Sequence, residues 1–406
     1  MEVLYRYCCG LDVHKKNITA CIITPEGKEV KTFATMTRNL VELVDWIKSK
    51  NCTHVGMEST GDYWKPIYNL LECEDVQPIV VNAQHIKSVP GRKTDVKDAE
   101  WIARLVRHGL VRGSYIPNRE QRELREIIRY RRSIVEERTR EVNRLQKVLE
   151  GGNIKLSSVA SNVLGVSGRM MLEAIIQGET DVIVLANMAQ KKLKNKKDQL
   201  MLALEGNLVR HQLIMLEKQL DHIDYLNQLI DELDEEIDLR MEPYKEEIEL
   251  LDTIPGVNKR TAQQILAEIG TDMSRFPTPG HLCSWAGMTP GHDESAGKKR
   301  SSKTRKGNKK LRSALVESAR AAAKKKDTYL SAQYHRIAAR RGKNRAAIAV
   351  GHSILRIVHI ILTRKQNYIE LGADYFDRLK KDLLIRNTVR RLESLGLTVE
   401  IHDNTA

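Results

Sequence analysis

Residues 8–36 read CCGLDVHKKNITACIITPEGKEVKTFATM. The stretch is dense in β-branched and small residues and is broken once, at Pro25-Glu26-Gly27-Lys28, where Pro and Gly signal a tight turn. It predicts strands over Val3–Val13, Asn17–Thr24 and Val30–Met36, the last two joined by that turn. Asp12 falls in the middle of the first strand. An acid there costs several kcal/mol of desolvation unless something compensates it.

Working outward, a helical pattern runs from about Leu40 to Lys50, followed by a short strand, Thr53–Glu58. Another helix begins near Asp62, an apolar strand covers Pro78–Val81, and Asp95–His108 reads as a closing helix. Three strands in a meander and then helix–strand–helix–strand–helix is the order of a ribonuclease-H-like α/β domain. Pattern alone does not separate it from other α/β folds.

Downstream the chain turns helical. From Asn118 to Glu150, Ile128, Val135, Val142 and Leu149 recur every seven residues, with Leu124 and Leu145 at the companion spacing. A second such segment carries Val209, Leu216, Ile223, Ile230 and Ile237, with Leu213 and Leu220 between them. Two heptad helices about sixty residues apart predict an antiparallel coiled coil capped by the intervening helices, and their charges, the first basic and the second acidic towards its end, favour the pairing. Val159–Ile183 looks helical, and Lys191–Lys197 would either touch nucleic acid or help cap the pair. The fold class expected is therefore α/β plus α. The domains are 1–117 (the α/β domain), 118–245 (the coiled coil with an insertion at about 151–200) and 246–406 (mostly helical, with a basic loop).

The 406 residues carry 67 Lys plus Arg against 53 Asp plus Glu, a net charge of +14 that points first to nucleic acid as partner. No run approaches the ~20 apolar residues of a spanning helix, and no leader is evident, so a cytoplasmic protein without a membrane partner is expected. Six cysteines without CxxC or paired spacing read as reduced, mostly buried thiols rather than a disulfide framework or a zinc site.

Four carboxylates stand out. Asp12 lies in GLDVHKK, Glu58 where an apolar strand runs out into Ser-Thr-Gly, and Asp95 and Asp98 share a helix face in KTDVKDAEWIARL. With the first strand central and the Glu58 strand beside it, the closing helix brings all four together. Clustered carboxylates repel unless they hold cations, and hard Mg²⁺ or Mn²⁺ suits them in phosphoryl transfer. Singly, each acid also fits a turn, an N-cap or a first-turn charge. IPGVNKRTAQQIL resembles a helix–hairpin–helix, in which Lys259 and Arg260 would meet DNA phosphates; a plain helical hairpin reads the same. In GMTPGHDESAGKKRSSKTRKGNKKLR the cations Lys298, Lys299, Arg300, Lys303, Arg305, Lys306, Lys309, Lys310 and Arg312 would neutralise phosphates. A serine in such a field is a candidate nucleophile, although a solvated phosphate-binding loop has the same composition.

GLDVHKK, MESTG, KTDVKDAEWIARL, IPGVNKRTAQQILAEIG and the basic stretch, in this order, resemble the insertion-sequence family 110 transposases, a group that includes the Piv and MooV-type DNA invertases. The resemblance runs from about residue 8 to 320. It implies a RuvC-like domain with a metal-binding D-E-D-D set on Asp12, Glu58, Asp95 and Asp98. It also implies a C-terminal transposase domain whose nucleophilic serine follows a G-x-x-P loop, which places it on Ser295. Here Ser295-Ala296-Gly297 stands where many members have Ser-Gly, with Ser301 and Ser302 close by. The implied activity is transposition through a phosphoserine link. The implied partners are donor and target double-stranded DNA, a structured bridge RNA, and further copies of the chain, as a dimer or a tetramer on DNA. The rivals are an invertase of the same fold, a metal-only junction nuclease, and a non-catalytic nucleic-acid binder.

Overall fold

A computed structural model of the chain describes residues 2–59, 61–81, 95–111, 113–291, 293–295, 298–301, 304–379 and 381–400. Residues 95–97, 293–295, 298–301 and 382–384 are described by their backbone alone. The chain divides into two compact units, Met1–Pro117 and Asn118–Ala406.

The first unit is a five-stranded mixed sheet: β1 (Cys8–Val13), β2 (Asn17–Thr24), β3 (Gly27–Ala34), β4 (His54–Glu58) and β5 (Gln77–Val81), in the order β3-β2-β1-β4-β5. β1 and β3 pair antiparallel with β2, while β4 and β5 follow β1 in parallel. Two strands differ from expectation. β1 starts at Cys8 rather than Val3, and the hairpin is tighter, since Thr24 already faces Gly27 across the two residues Pro25 and Glu26. β3 is an exposed edge strand lined with Lys and Glu, which discourages further pairing.

One face of the sheet is covered by α1 (Thr37–Ser49) and α2 (Trp64–Leu71), which bury Leu43, Ile47, Ile67 and Leu71 against Leu11, Ile18, Ile22 and Met57. Each such side chain contributes about 1.5–3 kcal/mol. The other face is covered by α3 (Asp95–Arg107), through Ala99, Ile102, Ala103 and Val106. α3 comes unusually close. A Cβ on Gly10 would lie 2.2 Å from the Ala99 carbonyl oxygen and 2.4 Å from the Ala103 nitrogen, and one on Gly56 would lie 2.5 Å from Val106 Cγ2. Gly10 and Gly56 are register partners, so together they form the seat on which the helix rests.

The second unit is mostly helical. Its long helix α4 (Arg119–Gly151) is followed by α5 (Val166–Ile176), α6 (Val182–Asn187), α7 (Lys197–Leu204) and a second long helix, α8 (Arg210–Met241). α4 and α8 pack antiparallel: Arg240 reaches Glu123, Arg131 pairs with Asp234, and Arg138 donates to Asn227. Of the heptad positions, Leu124, Ile128, Leu145, Leu149, Leu216, Leu220, Ile223 and Ile237 are buried. Val209 instead caps α8 and is 49% exposed, and Ile134 rather than Val135 turns inward. The single helix expected over 159–183 is broken at Gly165 and Gly178, the latter with φ +97. The resulting short helices build a core with the joined ends of the long pair, Met171, Leu172, Leu185 and Leu200 against Leu145, Leu149 and Leu216. The insertion therefore caps the pair, with the 3-10 turn Lys191–Lys196 carrying no buried residue.

Beyond it lie α9 (Lys245–Asp252), α10 (Lys259–Ile269), α11 (Pro279–Trp285), a two-stranded hairpin β6 (Asp293–Ser295) and β7 (Lys298–Ser301), and then α12 (Lys309–Ala322), α13 (Tyr329–Arg341), α14 (Lys343–Arg364) and α15 (Lys381–Glu393). Among the described helices α14 has the length and composition to cross a membrane, which the expectation of no such run overlooked. More than half of its apolar window is buried, with Val350, Ile354, Leu355 and Val358 in the interior.

Candidate active site

The carboxylates are placed by register. Leu11 pairs with Met57 across β1 and β4, so Asp12 and Glu58 are the next residues on two adjoining strands, about 4.8 Å apart in the pairing direction. Side chains two apart on a strand share a face. Gly10 and Gly56 face α3, and Asp12 and Glu58 therefore face it too. The helix runs opposite to β1, because Cys8 Sγ donates to the Ala103 carbonyl while Gly10 lies against Ala99. One turn back from Ala99 is Asp95, about 6 Å along the axis; two residues on from Gly10 is Asp12, about 6.8 Å along the strand. The first turn of α3, with Asp95 and Asp98, thus stands beside Asp12. The Asp95 side chain lies outside the described residues; Asp98, Glu58 and Asp12 are half-buried.

Among the described residues no three His, Cys, Asp or Glu side chains stand together as a metal cluster. Asp12, Glu58 and Asp98 are all described and do not form one, and the Asp95 side chain lies outside the described residues. The donor chemistry nonetheless fits a hard divalent cation, since Asp12, Glu58, Asp95 and Asp98 offer carboxylate oxygens only. One neighbour was missed in the sequence. His14 Nε2 lies 3.0 Å from Asp12 Oδ2, and the period-two spacing of 12 and 14 was the signal for it.

The serine stretch forms a hairpin in the second unit. Ser295 pairs with Lys298, which puts Ser295 at the tip next to residues 296–297, whereas Ser301 pairs with Asp293 further from the tip. Ser302 lies outside the described residues, as do Lys303 and the side chains of Ser295, Ser301, Lys298, Lys299 and Arg300. A bridge between Pro290 and Thr304 extends the pairing. At its base Gly287 (φ +69) and Gly307 touch, a Cβ on Gly307 falling 2.4 Å from the Gly287 nitrogen. Arg305, Lys306, Lys309 and Lys310 are exposed; Arg312 is half-buried and donates to Thr304.

The hairpin's return is anchored through Asn308, which caps α12 and donates to Glu268 Oε2 at 2.6 Å. Glu268 is 5% exposed and also accepts from Arg129 at both oxygens, 2.7 Å each. Arg125 lies within 3.4 Å of it. No local signal in the sequence relates 129 to 268 or 308.

Lys259 and Arg260 are ion-paired within the protein. Both bond Asp238, at 2.9 and 2.7 Å. The Pro255-Gly256 turn before them packs inward, where a Cβ on Gly256 (φ +87) would meet the Ser318 carbonyl at 2.3 Å. The segment is a helical hairpin whose turn faces the interior of the unit, so the backbone of that turn is not presented to a phosphate.

Two family models match the chain. One, of the DEDD type and described as Transposase, covers residues 9–154; the other, described as Transposase IS116/IS110/IS902 family, covers residues 248–336. The first takes in all four carboxylates and the second the basic hairpin, and together they span more than half of the chain. The chain belongs to the IS110 family of transposases. As a member of the IS110 family it is an enzyme of the DNA transposase and recombinase class. It is 24% identical over 370 residues, 88% of this chain and 90% of the relative, to the transposase for insertion sequence element IS1111A of Coxiella burnetii. It is 26% and 25% identical to the pilin gene-inverting proteins of Moraxella lacunata and Moraxella bovis, over 75% of this chain and 80% of each relative.

Proposed function

We propose that this IS110-family enzyme cuts and rejoins DNA through Ser295, assisted by a divalent cation, Mg²⁺ or Mn²⁺, on a RuvC-like site formed by Asp12, Glu58, Asp95 and Asp98. The observation that carries the reading is the common face of Asp12 and Glu58 under the first turn of α3, in a sheet of order β3-β2-β1-β4-β5 with a central β1. When bound, the cation would supply charge stabilisation at the scissile phosphate. Asp12 and Glu58 would hold it from the sheet and Asp95 and Asp98 from the helix, with His14, 3.0 Å from Asp12 Oδ2, orienting Asp12.

The serine step balances without an energy source. Ser295 Oγ attacks phosphorus and loses its proton as the Oγ–P bond forms; the strand's P–O bond breaks and the leaving hydroxyl takes up a proton. Attack by a hydroxyl of another strand reverses this, so phosphodiester bonds are conserved. Arg305, Lys306, Lys309 and Lys310, exposed at the base of the hairpin, neutralise strand phosphates, together with Lys298, Lys299, Arg300, Lys303 and Arg312. Residues 1–117 act as the carboxylate domain, 118–245 as a coiled-coil assembly device for a dimer or tetramer, and 246–406 as the serine domain. A structured bridge RNA encoded beside the gene selects donor and target.

An inversion reaction is the second reading, favoured by the two pilin gene-inverting relatives. The test is to supply the full chain with its flanking non-coding DNA, donor and target plasmids and Mg²⁺, and to look for protein–DNA adducts on a denaturing gel. An adduct absent from Ser295→Ala supports the serine step. Persistence moves the nucleophile to Ser301 or Ser302, and cut DNA without any adduct points to a metal-only nuclease. Junction sequencing separates insertion from inversion.

A further inference from the structure

A cleft of about 500 Å³ opens in the second unit between the last turns of α14, the segment after it and the start of α13. It lies almost wholly beyond residue 336, where the second family match ends. The volume falls in the ~300–1,000 Å³ range of small-ligand sites. Its walls combine two cations, Arg356 and Arg364, with the rings of Tyr329, Tyr368 and Tyr375 over an apolar floor that includes Ile357.

Neither guanidinium has a hydrogen bond or an ion pair with a described residue. Several other arginines of this unit are matched to carboxylates, as Arg129 is to Glu268 and Arg169 to Asp224. The rings, by contrast, are held. Tyr329 meets Tyr375 edge-on at 5.2 Å and stacks on Phe376 at 5.1 Å. Glu370 accepts from the Tyr329 nitrogen, the Gly372 nitrogen and the Tyr368 hydroxyl, so this nearby acid is already occupied by three donors. Unpaired cations beside pre-ordered aromatic rings are the chemistry of a nucleotide, phosphate on the arginines and base on the rings.

A duplex keeps its bases stacked and cannot enter a cleft of this size, whereas an unpaired nucleotide can. Position agrees. Gly351 of α14 packs against Met288 of the loop leading into the serine hairpin, its added Cβ falling 3.0 Å from Met288 Cε. Arg356 is five residues further along the same helix, about 7.5 Å of rise and roughly 140° around the axis, so one helix carries the cleft on one side and the loop before the hairpin on another. We propose that this cleft binds an unstacked nucleotide of a single-stranded nucleic acid, with Arg356 and Arg364 on its phosphates and Tyr329, Tyr368 and Tyr375 around its base. This rests on the strand-exchange reading above and adds to it a holding site for the strand.

The test uses the full chain and labelled oligonucleotides: mixed-sequence single-stranded DNA, RNA of the same sequence, and blunt duplex DNA. Arg356→Gln with Arg364→Gln, and separately Tyr368→Leu, are expected to weaken single-strand binding about tenfold or more while duplex binding changes less than twofold. Thermal melting screens each variant for folding. A thiopyrimidine-substituted strand should photocross-link to peptides carrying Tyr329, Tyr368 or Tyr375. Stronger binding of RNA identifies the guide as source, and stronger binding of DNA identifies a donor or target strand. Unchanged single-strand affinity in folded variants, an equal loss on duplex, or cross-links that map elsewhere overturn the proposal. The adduct assay is independent: a native chain that forms adducts while these variants bind normally removes only the cleft. A chain that forms none, yet binds single strands through the cleft, removes only the serine mechanism.

Discussion

Gly10 and Ala99 meet backbone to backbone: the Ala99 carbonyl oxygen occupies the space 2.2 Å from where a Gly10 Cβ would stand. The contact fixes the height of α3 above the sheet, and with it the approach of Asp95 and Asp98 to Asp12. Gly10→Ala would lift the helix from its seat. Overpacking of this kind typically costs about 1–3 kcal/mol, and the expected outcome is a lower melting temperature together with loss of DNA cleavage. A variant that melts and cleaves like the native chain would show that the helix height is unimportant.

Asp12→Asn and Glu58→Gln keep size but remove charge and replace one acceptor oxygen by an NH2 donor. Each is expected to abolish strand cleavage at saturating Mg²⁺ and to leave the melting temperature within a few degrees of native. Robust cleavage by either soluble variant would take that residue out of the site.

Gly307→Ala places a methyl group against the Gly287 nitrogen at the base of the serine hairpin. Adduct formation should fall by at least an order of magnitude. Limited proteolysis should find the second unit opened near residues 287–307 while the first unit stays protected. Cleavage first within residues 1–117 would contradict this.

Glu268→Ala strands Arg125 and Arg129 and releases Asn308. Removing one partner of a buried pair costs about 3–5 kcal/mol, so the denaturant midpoint of the second unit should drop clearly. A double change with Arg129→Met should recover part of the loss. An additive double variant would deny the coupling.

Five cysteines are buried and only Cys73 is exposed. Burial pushes the thiols of Cys8, Cys21 and Cys283 up to about 11 and that of Cys52 to about 12, and holds Cys9 well above its ordinary value. Thiolate is the reactive form, so these groups stay protonated and inert as the pH rises through the ordinary thiol range. A colorimetric thiol reagent should count about one fast-reacting group in the native chain and six after denaturation. Fast reaction of several thiols in the native chain would contradict the packing.

The sequence by itself determined the alternation of strands and helices in the first 110 residues, the two long helices and the family motifs. Each rests on local periodicity or on a few residues in a row, as with the Ile128, Leu145 and Leu149 stripe or GLDVHKK. The chain order of Asp12, Glu58, Asp95 and Asp98 was equally legible. Only the tertiary structure decided that Gly10 and Gly56 are register partners under α3, because their pairing joins residues forty-six positions apart. It also decided that Asp238 takes up Lys259 and Arg260, and that Glu268 gathers Arg125, Arg129 and Asn308. A surplus of basic residues reads the same in sequence whether each is open to a phosphate or matched by a distant acid. The match is made by helix packing, which brings together side chains that no local pattern connects.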